Sequence, residues 1–322
     1  MKKIMLILAV ACMTTAANAR ILRVSNVSGS SAPYASIQEA HDAANVGDTI
    51  MVDGSNVTYG GVNDTHNITK RIVLMGPGYR LVEDGIVAEG ASSAYIRGTL
   101  SISASGATVI GMRVNNIVIK TTKVVVKRCR VNNRITLQAG ADNCVIHQNF
   151  ITGYIEGSIS GVQTNYTQIT NNIIVYSNVN AGAIRDMVNS YIAYNTLPEK
   201  GKATWLYYSD LRNCTLENNI APKENVKDGQ SNTYHNNYSF ADSTKDADFN
   251  NQPSPYTDQT DDKSMCEIER GFAENKYGAC AGDSPYVVAG VPSGPVILDL
   301  DVPTTVEMGS KLNVTVKIGM VK

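Results

Sequence analysis

Along the middle of the chain an apolar residue recurs, followed three positions later by a turn residue that is most often Asn. The pairs are Ile110 and Arg113, Val126 and Cys129, Ile146 and Asn149, Ile169 and Asn172, Ile192 and Asn195, Leu216 and Asn219, and Tyr234 and Asn237. Their second members lie 16, 20, 23, 23, 24 and 18 residues apart. A period near 20 residues is the mark of a repeat architecture in which each repeat is one structural unit.

Aligned on these pairs, the segments form chemically consistent columns. The apolar column reads Ile110, Val126, Ile146, Ile169, Ile192, Leu216, Tyr234, and two residues earlier stand Thr108, Val124, Cys144, Thr167, Ser190, Cys214, Asn232. A spacing of two places both columns on one face of a strand, pointing inward. The residues one step after the apolar column (Gly111, Lys127, His147, Thr170, Ala193, Glu217, His235) then point outward. Asn suits the turn because it tolerates left-handed backbone and bonds nearby main chain. Stacked once per coil, its amides can form a ladder. A second strand precedes each segment: Ile117–Ile119, Ile135–Leu137, Tyr154–Ile155, Ala183–Ile184 and Trp205–Tyr207. The pattern predicts an all-β chain wound as a right-handed parallel β-helix, a solenoid of short strands.

The ends differ from the middle. Ser36-Ile37-Gln38-Glu39 is a capping box, Ile37, Ala40, Ala43 and Ala44 make one apolar face, and Gly47 is placed to end the helix in left-handed backbone. Asp48–Val52 returns as a strand, so a short amphipathic helix plugs the first coil. Residues 241–290 are rich in Asp, Pro, Ser and Gly and read as an irregular segment packed on the coils. Residues 291–322 hold two terminal strands, Val296–Leu300 and Leu312–Lys317.

Residues 1–19 have the build of a signal peptide: Lys2 and Lys3, an apolar run from Ile4 to Ala11, and Ala17-Asn18-Ala19 as a cleavage site. Export is the expectation, to the periplasm, the outer surface or the medium, with a lipoprotein attached through Cys12 as the second choice. No later run is long and apolar enough to span a bilayer. Of the remaining cysteines (Cys129, Cys144, Cys214, Cys266, Cys280), only Cys266 and Cys280 are candidates for a bridge; Cys144 and Cys214 share an inward column three coils apart. The solenoid is expected to span residues 20–240.

The cap residues Tyr34–Ala40 with Val46–Ile50, and Ile68–Gly78 after them, resemble the N-terminal cap and first coil of pectin-lyase-like β-helix proteins. Gly282–Pro292 resembles the tail of exported β-helix proteins of gram-negative bacteria. The resemblance implies the fold more than an activity, because this superfold hosts many chemistries. It includes pectate lyases, polygalacturonases and pectin methylesterases, whose motifs Gly-His-Gly, Asn-Thr-Asp, Gln-Asp-Thr and Trp-x-Asp-His are missing here.

Net charge is -1, which gives no ground for a nucleic-acid partner. The distribution is more telling. Residues 90–141 carry Arg97, Arg113, Lys120, Lys123, Lys127, Arg128, Arg130 and Arg134 and no acid, whereas residues 240–310 carry thirteen acids against four bases. The expectation is either a cationic stripe that attracts a polyanion or basic coils neutralised by the acidic tail folding back. Ligand-binding candidates are Lys123, Lys127 and Arg128, with the aromatic cluster Trp205, Tyr207 and Tyr208 beside Tyr191 and Tyr194. Asp186 and Asp210 each lie six residues before the inward residue of their coil, one rung apart. They are the candidate catalytic carboxylates and the weak calcium candidates; as turn residues they equally cap backbone. No other cofactor is expected. The leading functional expectation is a non-catalytic exported binder of anionic polysaccharide. A polysaccharide lyase or hydrolase acting on uronate polymer, and a structural or adhesive surface protein, are the alternatives.

Overall fold

The computed structural model describes residues 19–80, 92–158, 164–175, 182–198, 208–221, 226–227, 231–239, 249–251, 262–272, 276–301 and 315–321. Residues 1–18 of the expected signal peptide, Cys12 among them, and Trp205 and Tyr207 lie outside these residues. Among the described residues no helix is long and apolar enough to cross a membrane.

Parallel sheet dominates. One ten-stranded sheet takes one short strand from each turn of the chain, from Ile21–Val24 and Thr49–Val52 through to Thr215–Glu217 and Thr233–His235. A second sheet runs alongside it from Thr65–Ile68 and Tyr95–Ile102 to Tyr208–Ser209 and Val226–Lys227. Each strand pairs with its counterpart one coil earlier and one coil later. Hence Val126, Ile146, Ile169, Ile192, Leu216 and Tyr234 are successive partners in register, as the apolar column requires. Val126 through Leu216 are fully buried, each contributing about 1.5–3 kcal/mol of hydrophobic stabilisation. A single interior cluster continues from Leu22 to Ala221.

The column departs from expectation at its start. Val109, not Ile110, pairs with Val126, and Ala107 rather than Thr108 takes the small inward position. The turn explains the shift. In each coil the left-handed residue is the one before the ladder position: Gly111, Arg128, Gln148, Asn171, Tyr194, Asn218 and Asn236 all have positive φ. Here the αL residue is Gly111 (φ 66°) and the ladder position is Met112, so neither residue carries the Asn signal.

The ladder itself is continuous. Asn149, Asn172, Asn195, Asn219 and Asn237 are buried, and each side-chain oxygen accepts the backbone N–H of the ladder residue one coil earlier, at 2.9–3.0 Å. Each side-chain amide of the first four donates to the next Asn oxygen and to the carbonyl of Val126, Ile146, Ile169 or Ile192. Buried amides therefore find partners on both neighbouring rungs, which is the condition for burying them at all.

At the N-terminus α1 (Ile37–Ala43) has the capping box, with Ser36 accepting from the Glu39 amide and Glu39 from the Ser36 amide. Its buried face is Ile37, Ala40 and His41 followed by Ala44; Ala43 is exposed. The helix ends at Ala44 in extended backbone rather than at Gly47. The Lys70 ammonium takes over the C-terminal carbonyls of His41, Asp42 and Ala44 at 2.7–2.9 Å, where a cation is favoured.

Beneath the cap the buried Asp48 accepts from the backbone amides of Arg20 and Asn45 and from the Arg20 guanidinium. These donors hold its carboxyl down at about 2, below the ordinary value of about 4. A depressed pKa stabilises the fold above the unfolded value, and that stability is lost as pH falls through the folded value. Asp48→Asn should therefore lower the Tm at pH 6, with the gap to the unsubstituted protein closing between pH 4 and pH 2. Thermal melts across that range check this; a gap independent of pH would show that Asp48 acts only through its shape.

The C-terminal part contains more structure than the irregular segment expected. Asp262–Phe272 is a helix, α2, and residues 276–293 follow it as a strap laid against the coils. Cys266 and Cys280 are bridged, while Cys129, Cys144 and Cys214 are free and buried. Strands Gly294–Asp301 and Thr315–Val321 then pair antiparallel, close to the two terminal strands anticipated; residues 312–314 lie outside the described set.

Candidate functional site

Before entering the first sheet, each coil passes a second left-handed residue. These form a turn column: Gly106, Lys123, Asn143, Tyr166, Asn189, Asn213 and Ser231. Backbone bonds fix the stacking, as Lys123 donates to the Asp142 carbonyl, Tyr166 to that of Val188, and Asn189 to that of Arg212, at 3.0–3.2 Å. Lys123, Asn143, Tyr166 and Asn213 are exposed, Tyr166 to 61 %. On the adjoining outer face of the first sheet stand Thr108, Val125, Val145, Gln168, Tyr191 and Thr215 in register. Tyr191 is 37 % exposed and donates to Glu217 at 2.9 Å; burial first, then that carboxylate, pushes its phenol up. The result is a polar lane along the coils with a cation and an aromatic ring two rungs apart, about 10 Å at strand spacing. Tyr166 was not anticipated as a site residue; its neighbour one rung away, Asn189, carries the same turn signal.

Of the three expected basic ligands, Lys123 is exposed in this column and Lys127 is half-buried on the outer face. Arg128 is not available there. It is 7 % exposed and donates to Gln148 at 2.8 Å, the Val291 carbonyl at 3.1 Å and Ser293 at 2.7 Å. Burial pulls its pKa down. The cationic stretch is also not one stripe. A coil turns through its whole circumference in about 20 residues, so neighbours in sequence face different sides. Arg113 lies over the Tyr95 ring at 4.3 Å and Arg130 over Phe150 at 5.5 Å, both in the second sheet. Of the tail's buried acids, Asp262 pairs with Arg80 at 3.3 Å and Glu269 accepts from the Cys280 amide; most of the other tail acids lie outside the described residues.

The strap sits on the left-handed residues that follow the first sheet. Gln148 donates to the Ser284 and Pro285 carbonyls, Asn171 to those of Ala279 and Ala281, and the Asn218 carbonyl accepts from the Gly278 amide. His147 bonds Thr170 on one side and Ser284 on the other, at 2.8 and 3.0 Å. Burial, with Lys127 and Arg128 nearby, lowers its pKa to about 4. The fit is close: Gly290 has φ 63°, and a Cβ there would meet the Arg128 carbonyl at 2.2 Å.

Asp186 and Asp210 stand in adjacent coils, both left-handed, directly after the partners Arg185 and Ser209. Gly157, not Gly140, is the neighbour of Asp186 in the coil before: Glu156 pairs with Arg185, so residues inserted in that coil break the count from the apolar column. Desolvation raises the Asp186 pKa, with Asp210 adding to it and Arg185 opposing. Arg185 also bonds the buried Glu156, and stacks over Tyr154 at 4.2 Å. Glu156 further accepts from Thr136 at 2.9 Å. A protonatable carboxyl beside a second one is the arrangement from which acid and base roles are drawn. As a calcium site the pair offers two carboxylates where six to eight oxygens are needed, and among the described residues no three His, Cys, Asp or Glu side chains gather for a metal. Tyr208 pairs with Ile184 in the second sheet. The described strand there is Tyr208–Ser209; Trp205–Tyr207, where the strand is expected, lies outside the described residues.

Comparison with known protein families, with curated proteins and with solved structures finds no match to this chain.

Proposed function

We propose that the chain is an exported, right-handed parallel β-helix of the pectin-lyase-like kind that binds anionic polysaccharide without cleaving it. Right-handedness is favoured because parallel crossovers between strands of one sheet are right-handed in nearly all proteins. Export rests on the character of residues 1–19 and on the Cys266–Cys280 bridge, since disulfides persist in oxidising compartments. The observation that carries the binding reading is the exposed lane, in which Lys123 and Tyr166 stand two rungs apart with Asn143 between them and Tyr191 and Lys127 alongside. A flat row of amides, an aromatic ring and cations suits a sugar polymer, whose hydroxyls, C–H faces and carboxylates they complement.

Binding of polygalacturonate or alginate, measured by titration at several salt concentrations, tests this. Affinity should fall steeply with salt, because exposed charges are screened over about 8 Å at physiological ionic strength. Lys123→Glu with Lys127→Glu should weaken binding roughly tenfold, about 1.4 kcal/mol, and Tyr166→Ala further. Stability should change by no more than about 1 kcal/mol. Arg128 is left intact, since its loss would disturb the strap. Absence of binding to any acidic polymer would sink the reading. The raised pKa of Asp186 beside Asp210 favours hydrolysis as the second reading; release of shortened sugar products that disappears in Asp186→Asn would establish it instead.

A further inference from the structure

We propose that α2 and the strap form a latch set by oxidation: they lift from the coils as one unit while the coils stay folded, and the Cys266–Cys280 disulfide keeps them seated. The apolar contacts fall into two separate clusters. One fills the interior of the coils. The other lies outside them, where Met265, Cys266, Ala279, Cys280 and Tyr286 roof over Tyr79, Phe150, Ile173 and Ile220. Opening the roof therefore leaves the interior cluster untouched.

The remaining anchors are polar, and water can replace them. Asp262 is fully buried and accepts from Tyr286 at 2.9 Å, Tyr79 at 3.4 Å, the Ala289 amide at 3.1 Å and Arg80. Glu269, two turns further along the same face of α2, accepts from the Thr196 hydroxyl and the Cys280 amide. Both carboxylates regain hydration when the roof opens, which offsets part of the lost contact. The side chains of Gln148 and Asn171 donate to strap carbonyls that water also satisfies.

Without the disulfide the unit has little to hold it together. An eleven-residue helix is marginal alone in water, and the strap has no strand pairing of its own up to Gly294. The bridge joins the two across a separation of 14 residues, so that neither leaves without the other. In a reducing compartment the outer face with Phe150, Ile173 and Ile220 stays open; in an oxidising one it closes.

The core thiols are built-in reporters. Burial pushes Cys129 up to about 12 and Cys144 to about 11 and raises Cys214, so none reacts unless the coils unfold. The bridge is also buried, with Cys266 at 0 % and Cys280 at 4 % exposure, so a reductant reaches it only when the roof lifts. The full-length exported form, without denaturant, is treated with dithiothreitol. Its thiolate attacks one sulfur, its second thiol releases the mixed disulfide, and two cysteine thiols and the cyclic oxidised reagent result. Alkylation followed by mass spectrometry should find Cys266 and Cys280 labelled while Cys129, Cys144 and Cys214 are not. The reduced protein, and a Cys266→Ser/Cys280→Ser variant with unchanged far-UV circular dichroism, should be cleaved by trace protease within residues 262–272 and 276–293 at least tenfold faster than the oxidised protein. Labelling of all five thiols together, resistance of the bridge until the core thiols react, or equal protease resistance with and without the bridge would overturn the proposal.

Discussion

Asn172→Ala is expected to lower global stability by about 4 kcal/mol, because it strands two buried groups at once. Asn172 sits at the centre of the ladder. Its oxygen accepts both the backbone and side-chain N–H of Asn149, and its amide donates to the Ile146 carbonyl and the Asn195 oxygen. Truncation leaves all four without that partner, in a position with no solvent exposure. The Asn149 amide keeps the Val126 carbonyl and the Asn195 oxygen keeps the Asn172 N–H, so the loss falls mainly on the Asn149 N–H and the Ile146 carbonyl, at about 1–3 kcal/mol for each buried group left unsatisfied. Gln168→Ala, in the strand that leads into Asn172 but exposed, should fall within about 0.5 kcal/mol. Denaturant midpoints of the two variants make the comparison. Equal, small effects would mean the ladder is incidental to stability.

Asp262→Ala should have a comparable local effect and a smaller global one. The carboxylate is the shared acceptor of two buried tyrosine hydroxyls and a backbone amide, with Arg80 as its ion pair. Removing one member of a buried pair costs about 3–5 kcal/mol. Because these partners join the strap to the coils, that loss is expected as faster proteolysis of residues 262–293, with the unfolding of the coils nearly unchanged. A fall in the global midpoint equal to that of Asn172→Ala would instead make coils and strap a single cooperative unit.

The periodic part of the fold is legible because its determinants are local and repeated. Every coil from Val126 to Tyr234 presents an apolar or aromatic inward residue three positions before the ladder position, which is Asn from Asn149 onward, and strand alternation does the rest. Legibility fails where a coil uses other chemistry for the same backbone. Gly111 and Met112 serve as αL residue and ladder residue without resembling Arg128 and Cys129, so the first register slips by one. It fails again where residues are inserted, as between Glu156 and Asp186. The strap was hidden for a different reason. Its contacts link residues more than a hundred positions apart, as between Gln148 and Pro285, and no period reports them. Arg128 therefore looked like a surface charge although its partners are Val291 and Ser293. In the exposed lane, charge points to Lys123 and nothing in the sequence points to Tyr166. A single aromatic among Thr and Asn residues gives no signal until the turn column shows which way it faces.

The chain is stacked coil on coil, with an exposed lane running along the turns. A crystal structure of the protein tests this most directly. The account predicts Cα atoms of Ile146, Ile169, Ile192 and Leu216 in one parallel sheet at steps of about 4.8 Å, an unbroken chain of amide bonds from Asn149 to Asn237, and Lys123 and Tyr166 exposed in one column. Antiparallel pairing of these strands, or Ile169 and Ile192 in different sheets, would contradict it.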